Sequence, residues 1–240
     1  PGPLGAPRLS GPDRGATLAP RDAEAARAGS RRRGRFTGRG RRVQGVRPVR
    51  DGVKRPNRCL ADFIAPQGSG KKDYIGLFAV TAGLGVDKKE KQFAADLDDY
   101  SSIMLKALAD RLAEAFAERL HQRVRTDFWG SAADEALDTA SLVAERYRGI
   151  RRAPGYPAGH DHTVTRATFR LLGCDEIGMQ LTESMAMMPA ASVSGFYLAH
   201  PESTYFNVGK IGRDQLKSWA ERSAVASEDA ERALMPVLPT

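Results

Sequence analysis

A repeat of apolar residues at spacings of three and four constrains this chain more than any other feature. It lies within residues 99–128, a stretch that contains neither proline nor glycine. Such a spacing places side chains along one face of an α-helix, so we predict a long amphipathic helix that buries this face against the rest of the fold. The residues of the predicted face are Leu105, Leu108, Leu112, Phe116, Leu120 and Val124.

The elements around this helix indicate an α+β fold. A run of β-forming residues, 74–80, predicts a strand, and three more strands are predicted late in the chain, with a turn at 200–203 before the last. Strands that cluster late, with helices on either side, favour an antiparallel sheet with flanking helices in a single domain. The late strands are predicted at 180–188, 193–199 and 205–211, and the additional helices at 141–147, 165–174, 214–222 and 227–234.

Positive charge is concentrated at the N-terminal end. The chain has 37 Lys and Arg residues against 29 Asp and Glu, a formal charge of +8, and residues 1–58 hold 16 of the bases but only four acids. Residues 1–56 are rich in Arg, Gly and Pro and lack helical or strand periodicity, so they cannot bury enough apolar surface to offset chain entropy. We predict a disordered leader over 1–56 and a folded domain over 57–240, and the composition of the leader leaves open whether it is native to the fold.

The composition of the leader has two alternative explanations. The arginine and glycine cluster at 31–42 is typical of RNA-binding arms, which would make this an interaction protein with a basic arm on a degenerate domain. An out-of-frame reading of a GC-rich gene yields a similar composition. The sequence does not decide the origin of the leader, and we do not expect nucleic acid to be a partner.

Cysteine content and hydropathy indicate the cellular compartment and whether a membrane is involved. Only Cys59 and Cys174 are present, which excludes a disulfide framework and favours a reducing, cytoplasmic compartment. No run approaches the about 18 apolar residues of a membrane span, so no membrane partner is expected.

Two groups have residue types that bind metals. Asp110, Glu114 and His121 share one predicted helix face, and His160, Asp161 and His162 are consecutive. Without a fourth close ligand we predict a solvated helix face and a polar loop rather than metal sites.

Several long strings resemble the C-terminal reactivation domain of cobalamin-dependent methionine synthase, in the order and spacing of that family. The similarity covers about residues 56–236. The strings are CLADFIAP at 59–66, DYIGLFAVTAGLG at 73–85, the segment 98–125, YRGIRRAPGYP at 147–157, LTESMAMMPAASVSGFY at 181–197, and 201–211.

The resemblance implies that the chain is part of a methyltransferase. In that family the domain binds S-adenosylmethionine and presents it to cob(II)alamin on a neighbouring domain, and reductive methylation restores methylcobalamin. Implied partners are that cobalamin-binding domain and an electron donor, flavodoxin or a diflavin reductase. Zinc would belong only to the homocysteine domain, which these residues do not include. The family's domain begins well before residue 59, so we expect an N-terminally incomplete domain that does not make methionine by itself.

The same resemblance implies the cofactor-binding residues. The family motif is an arginine followed four positions later by Gly-Tyr, with a backbone contact between them. Two acids on the long helix, a glutamate before the loop and an aromatic pair near the last predicted strand also match positions near the site. The implied residues are Arg151, Ala153, Gly155, Tyr156, Tyr205, Phe206, Asp110, Glu114 and Glu145.

The chemistry of the cofactor explains these residue types. A guanidinium holds a carboxylate through two parallel hydrogen bonds, whereas lysine offers a point charge. Backbone groups in a proline- and glycine-rich loop address the adenine edge and the amino group, and a tyrosine offers an amphipathic face beside the sulfonium. A domain that presents a reactive cofactor needs no acid or base, so we expect no catalytic residues.

The composition of the leader generates a first prediction. Limited proteolysis should remove residues 1–56 before any cleavage occurs in 57–240, because proteases cut first where the backbone is not held in a fold. Mass spectrometry of the time course would show the order of cleavage. A resistant core that retains the first 50 residues would contradict the prediction.

Overall fold

The computed structural model of the chain describes residues 16–17, 60–65, 69–71, 73–156, 158–159, 162–223 and 225–239. The predicted leader is therefore outside the described residues, apart from the two-residue strand β1, Ala16–Thr17. The α+β class, an antiparallel sheet with flanking helices and one long helix, is confirmed. The chain divides into a first unit, residues 1–19, 76–147 and 163–197, and a second unit, residues 20–75, 148–162 and 198–240.

Three neighbouring strands of the sheet lie in the first unit, in the order Ala16–Thr17 (β1), Gly76–Thr81 (β2) and Ser192–Leu198 (β6). Strand β2, Gly76–Thr81, pairs antiparallel with β6, Ser192–Leu198, in a register that places Gly76 opposite Tyr197 and Thr81 opposite Ser192. Strand β1 lies on the other edge of β2, with Ala16 opposite Phe78.

The remaining described elements are mostly helices. Strands β4 and β5, Gln180–Leu181 and Met187–Met188, form a separate short hairpin, and β3 is Ile150–Arg152. The helices are α1 Val86–Ala95, α2 Asp99–Arg123, α3 Thr139–Val143, α4 Thr163–Leu172, α5 Arg213–Ser223 and α6 Ser227–Leu234, with short 3-10 turns at Leu60–Phe63, Cys174–Ile177 and Met235–Val237. None of the helices that the structure describes is long and apolar enough to cross a bilayer.

Strand β2 is covered on both faces, which explains its apolar sequence. Phe78 and Val80 pack against helix α2, whereas Ala79 between them packs on the opposite side. The cluster on that opposite side also contains Phe169, Cys174 and Met179. The first unit therefore has three layers, with α2 on one face of the sheet and α4 on the other.

Helix α2 confirms the predicted long helix but buries a different face. Leu108 and Leu112, central to the predicted face, are 55% and 62% exposed, whereas Ala113 and Ala117 are 1% and 0% exposed. Leu120 and Val124 at the end of the predicted face are buried as expected. Because alanine has only a methyl group, a row of alanines lets the helix axis approach the sheet more closely than leucines would. Residues 124–128, predicted as helix, continue α2 as a π-helical turn.

One strand prediction, 205–211, is wrong, and another, 180–188, holds only at its two ends, Gln180–Leu181 and Met187–Met188. Within the predicted strand 180–188 the chain turns, with Thr182 N–H donating to the carbonyl of Ala186 at 2.9 Å. The predicted strand 205–211 is irregular, because Val208 and Ile211 both enter one apolar cluster at a spacing of three, which an alternating strand does not allow. The predicted helix 141–147 ends early at Val143, and Glu145 is left-handed with φ 55°. Helix α1 was not predicted.

Carboxylates cap two helices of the first unit. Asp98 accepts from the backbone N–H of Ser101 at 3.0 Å, and Asp138 accepts from Ser141 at 2.8 Å. Their hydrogen bonds to Ser101 and Ser141 lower the pKa of both carboxyls. A folded pKa below the unfolded value means that the caps stabilise the helices above the unfolded pKa, about 3.9, and lose that effect as pH falls through the folded pKa.

The C-terminal end of α2 is held by a buried polar and aromatic cluster. The Arg125 guanidinium makes two hydrogen bonds to Glu135, of 2.6 and 2.7 Å, with side chains 2% and 6% exposed. The same guanidinium lies 4.1 Å from the centroid of the Tyr147 ring. His121 stacks on Tyr197 with centroids 5.0 Å apart. These contacts tie the turn after α2 to the sheet and to the loop that follows it.

The second unit has an apolar cluster near the C-terminus. Helices α5 and α6 pack around Leu216, Ala220 and Leu234, and the backbone N–H of Ile211 donates to the carbonyl of Val237 at 2.9 Å. Ser203 N–H donates to the carbonyl of His200 at 3.0 Å, which confirms the predicted turn at 200–203.

The alanine face of α2 generates a second prediction. Ala117→Leu should destabilise the protein by about 1–3 kcal/mol, because a larger side chain overpacks a fully buried position in the core. Leu112→Gln on the exposed side of the same helix should change stability by no more than about 0.5 kcal/mol. Urea unfolding followed by circular dichroism measures both. A larger loss from Leu112→Gln than from Ala117→Leu would mean that the leucine face is the buried one.

Candidate functional site

Strand β3 determines the direction of Arg151. Its three residues alternate in burial, with Ile150 and Arg152 buried and Arg151 between them half-buried. Successive side chains of a strand point to opposite faces. The alternation therefore turns Arg151 toward the more open face of the second unit and Arg152 toward the interior.

The Tyr205 hydroxyl contacts the main chain of Arg151. The backbone N–H of Arg151 donates to the hydroxyl oxygen at 3.0 Å, and the hydroxyl donates to the Arg151 carbonyl at 3.1 Å. The sequence suggested Tyr205 as a residue near the cofactor. The structure shows that its polar end is bonded to the backbone of the proposed carboxylate partner, 54 positions earlier in the chain.

A compact loop follows β3. Gly155 N–H donates to the Gly159 carbonyl, and Gly159 N–H donates to the Tyr156 carbonyl, both at 2.8 Å. Gly155 has φ +93°, and a Cβ atom there would overlap the ring of His162. Only glycine meets both conditions. The loop leaves Ala153 half-buried and Tyr156 58% exposed, so the tyrosine ring is accessible.

Arg152 is a buried arginine. It follows Arg151 directly in the chain but is only 5% exposed. Its guanidinium carbon lies 5.8 Å from the centroid of the Tyr205 ring, within the range of a cation–π contact. Alternation along β3 explains why Arg151 and Arg152 point to opposite faces, but the sequence alone does not show which of the two faces inward. The sequence predicts a polar loop at His162 but not that this residue lies beside Gly155, because nothing in its local sequence indicates that proximity.

Phe206 packs among apolar side chains of the second unit. Its ring lies 6.2 Å from that of Phe63 in an edge-on arrangement, and it packs against the apolar cluster of α5 and α6. Neighbouring Tyr205 and Phe206 thus contact different parts of the second unit, the former the site strand and the latter the C-terminal core.

The three acidic candidates lie in the first unit. Asp110 and Glu114 are exposed on helix α2, one turn apart, and Glu145 is exposed at its left-handed position after α3. Arg151, Ala153, Gly155, Tyr156, Tyr205 and Phe206 all lie in the second unit, where Arg151 and Tyr205 touch.

The described residues contain no grouping of three or more His, Cys, Asp or Glu that could hold a metal ion. His121, in the row with Asp110 and Glu114, is 2% exposed and stacked on Tyr197, whereas the two acids are exposed. His160 and Asp161 lie outside the described residues. Cys174 is buried, and burial raises the pKa of its thiol to about 12, so it is a core residue rather than a nucleophile. Cys59 also lies outside the described residues.

The arrangement in the second unit is suited to binding rather than to acid–base catalysis. A half-buried guanidinium on a short strand is followed by a loop with a left-handed glycine and an accessible tyrosine. These groups supply a two-pronged partner for a carboxylate, backbone polar groups, and an aromatic face for a cation.

Comparison with known proteins identifies the family. Residues 25–224 match the family model described as vitamin B12 dependent methionine synthase, activation domain. The match begins inside the segment assigned to the leader, whose boundary stays a prediction. A crystal structure of the MetH reactivation domain bound to AdoHcy is similar, with 52% sequence identity and a TM-score of 0.75 over 79% of this chain. This chain spans 59% of the length of that one. The resemblance seen in the sequence strings is thus confirmed, and the chain belongs to the family of vitamin B12 dependent methionine synthase activation domains.

Proposed function

We propose that this chain binds S-adenosylmethionine and presents its methyl group for the reactivation of cobalamin held by another domain of the same enzyme. The observation that carries the proposal is the Arg151 guanidinium, directed to the open face of β3 immediately before the Gly155–Tyr156 loop. A domain 52% identical in sequence was solved with AdoHcy, which is S-adenosylmethionine without the transferred methyl group.

Arg151 would bind the carboxylate of the methionine moiety. Its planar guanidinium matches the two carboxylate oxygens, and half-burial strengthens the charge-assisted hydrogen bonds relative to an exposed pair. The strand supplies the direction, because neighbouring Ile150 and Arg152 are anchored in the interior. The backbone of Arg151 is therefore held in place before the ligand arrives, which reduces the entropy cost of binding.

The loop would bind the rest of the cofactor. The backbone of Ala153 and Gly155 offers hydrogen-bonding groups without side-chain entropy, and the missing side chain at Gly155 lets a ligand approach the main chain. The exposed ring of Tyr156 provides a negative π face for the positively charged sulfonium. Phe206, Asp110, Glu114 and Glu145 remain predictions from the family resemblance, and the acids are of the charge that a sulfonium and an ammonium group attract.

The reaction explains why no acid or base is required. S-adenosylmethionine would supply the methyl group and leave S-adenosylhomocysteine, and the cob(II)alamin of the neighbouring domain would accept that methyl group together with one electron. Flavodoxin or a diflavin reductase would supply the electron, and the cobalamin-binding domain would supply the acceptor. The residues of this chain would hold and orient the sulfonium, a contribution of proximity that also lowers the barrier to methyl transfer. The proposed setting is cytoplasmic, as part of a methyltransferase.

A test of Arg151 generates a third prediction. Arg151→Ala should weaken S-adenosylmethionine binding by about 2–3 kcal/mol, roughly 30- to 150-fold, because a charge-assisted contact is lost. Arg151→Lys should also weaken it, because the charge remains but the paired hydrogen bonds do not. Isothermal titration calorimetry measures both.

Two controls accompany this test. Arg170→Ala removes an exposed arginine of helix α4 and should leave the affinity unchanged. Arg152→Ala should reduce the melting temperature, since it removes a buried side chain. Normal affinity in Arg151→Ala would refute the proposed carboxylate site.

The loop geometry generates a fourth prediction. Gly155→Ala should reduce affinity by about 5- to 30-fold, because a left-handed alanine costs roughly 1–2 kcal/mol and the loop escapes that strain by leaving its binding conformation. Gly159→Ala is the matched control in the same loop. Its new Cβ would have only an ordinary contact, 3.8 Å from Leu60 Cδ1, so the affinity should stay within about twofold. Equal losses in the two variants would show that the left-handed glycine has no special role.

A further inference from the structure

We infer that Tyr205 is a positioning residue, whose hydroxyl orients Arg151 by bonding to its main chain. The inference rests on the proposed function and deepens it, because it assigns to Tyr205 a role that acts on binding through another residue. Its basis is the pair of hydrogen bonds between one hydroxyl and both polar backbone groups of Arg151.

The geometry resembles that of a neighbouring strand. In an extended strand the N–H and C=O of one residue point to the same edge, where they normally meet the N–H and C=O of a partner residue. Here one hydroxyl oxygen meets both, as acceptor at 3.0 Å and as donor at 3.1 Å. Tyr205 therefore takes the place of a ladder partner at the single residue whose side chain faces the open side.

The hydrogen bonds of the Tyr205 hydroxyl distinguish positioning of Arg151 from hydrogen bonding to a ligand. A phenol has one O–H proton, and here it is directed to the Arg151 carbonyl, so in this arrangement it does not donate to a ligand. Phenylalanine retains the ring but has neither donor nor acceptor, and serine or threonine carries its hydroxyl too close to its own backbone to span the same gap.

Tyr205 is itself held in position. The hydrogen-bonded turn at His200–Ser203 immediately precedes it, and the Arg152 guanidinium lies 5.8 Å from its ring centroid. Strand β3 is also fixed at its start, where Arg148 Nε donates to the Ala199 carbonyl at 3.1 Å. At Gly149, with φ +88°, a Cβ would come within 2.7 Å of the Leu198 carbonyl oxygen. The hydroxyl thus joins two segments that are each ordered by other contacts.

A double-mutant cycle tests this role in the full chain. S-adenosylhomocysteine is titrated calorimetrically into the parent, Tyr205→Phe, Arg151→Ala and the double variant. Tyr205→Phe should weaken binding roughly tenfold, the usual scale of a lost hydrogen-bonded arrangement. In the Arg151→Ala background the same change should have less than about a twofold effect, because the side chain that Tyr205 positions is gone. Tyr100→Phe, at a residue 74% exposed on α2, is the matched control and should bind like the parent.

A second readout reports on the main chain directly. In Tyr205→Phe the amide of Arg151 should exchange its hydrogen at least about tenfold faster by NMR, because its acceptor is gone. Unchanged exchange at Arg151, or a tenfold loss of affinity that persists in the Arg151→Ala background, would overturn the inference, as would unchanged affinity in Tyr205→Phe. If the parent does not bind S-adenosylhomocysteine, the proposed function fails and the inference with it. If the parent binds and Tyr205→Phe binds equally well, only the inference fails.

Discussion

The close approach of helix α2 to the central sheet is the constraint on which the first unit depends. Ala113 and Ala117 are almost completely buried, and Phe78 and Val80 of β2 pack into the same cluster with Leu120 and Tyr197. Because β2 is also covered on its other face by Phe169 and Met179, there is no solvent-facing side on which a larger residue could be accommodated. Small residues on the helix and large ones on the strand are therefore two parts of one packing arrangement.

In the second unit, hydrogen bonds to the main chain order the candidate site. The position of Arg151 in the three-residue strand β3 is held in part by a side chain that hydrogen-bonds to one edge of the strand. Tyr205 provides this through one hydroxyl, and Ile150 and Arg152 anchor the flanking positions in the interior. The following loop is shaped by backbone hydrogen bonds and a left-handed glycine. A binding site that is ordered in this way before the ligand arrives loses less entropy on binding.

Much of the fold could be predicted from local pattern, and the errors have a common cause. The long helix, strands β2 and β6, and helices α4 to α6 follow from periodicity and propensity. The failures at 180–188 and 205–211 occur where residues with a high strand propensity do not form a continuous strand. Residues 180–188 contain a turn between two short strands, and residues 205–211 follow an irregular path into the C-terminal core. Propensity favours a strand, but partners elsewhere in the chain decide whether one forms.

The sequence by itself determined the chemical types at the candidate site and the local conformations that they permit. An arginine, a proline- and glycine-rich loop and a tyrosine follow one another within 151–157, and their order does not depend on the rest of the chain. Only the tertiary structure decided that α2 buries its alanines, that Arg152 points inward, and that Tyr205 bonds to the backbone of Arg151. The reason is that burial and long-range hydrogen bonds depend on which segments meet, and residues 54 positions apart are brought together by the packing of the whole unit rather than by any local preference.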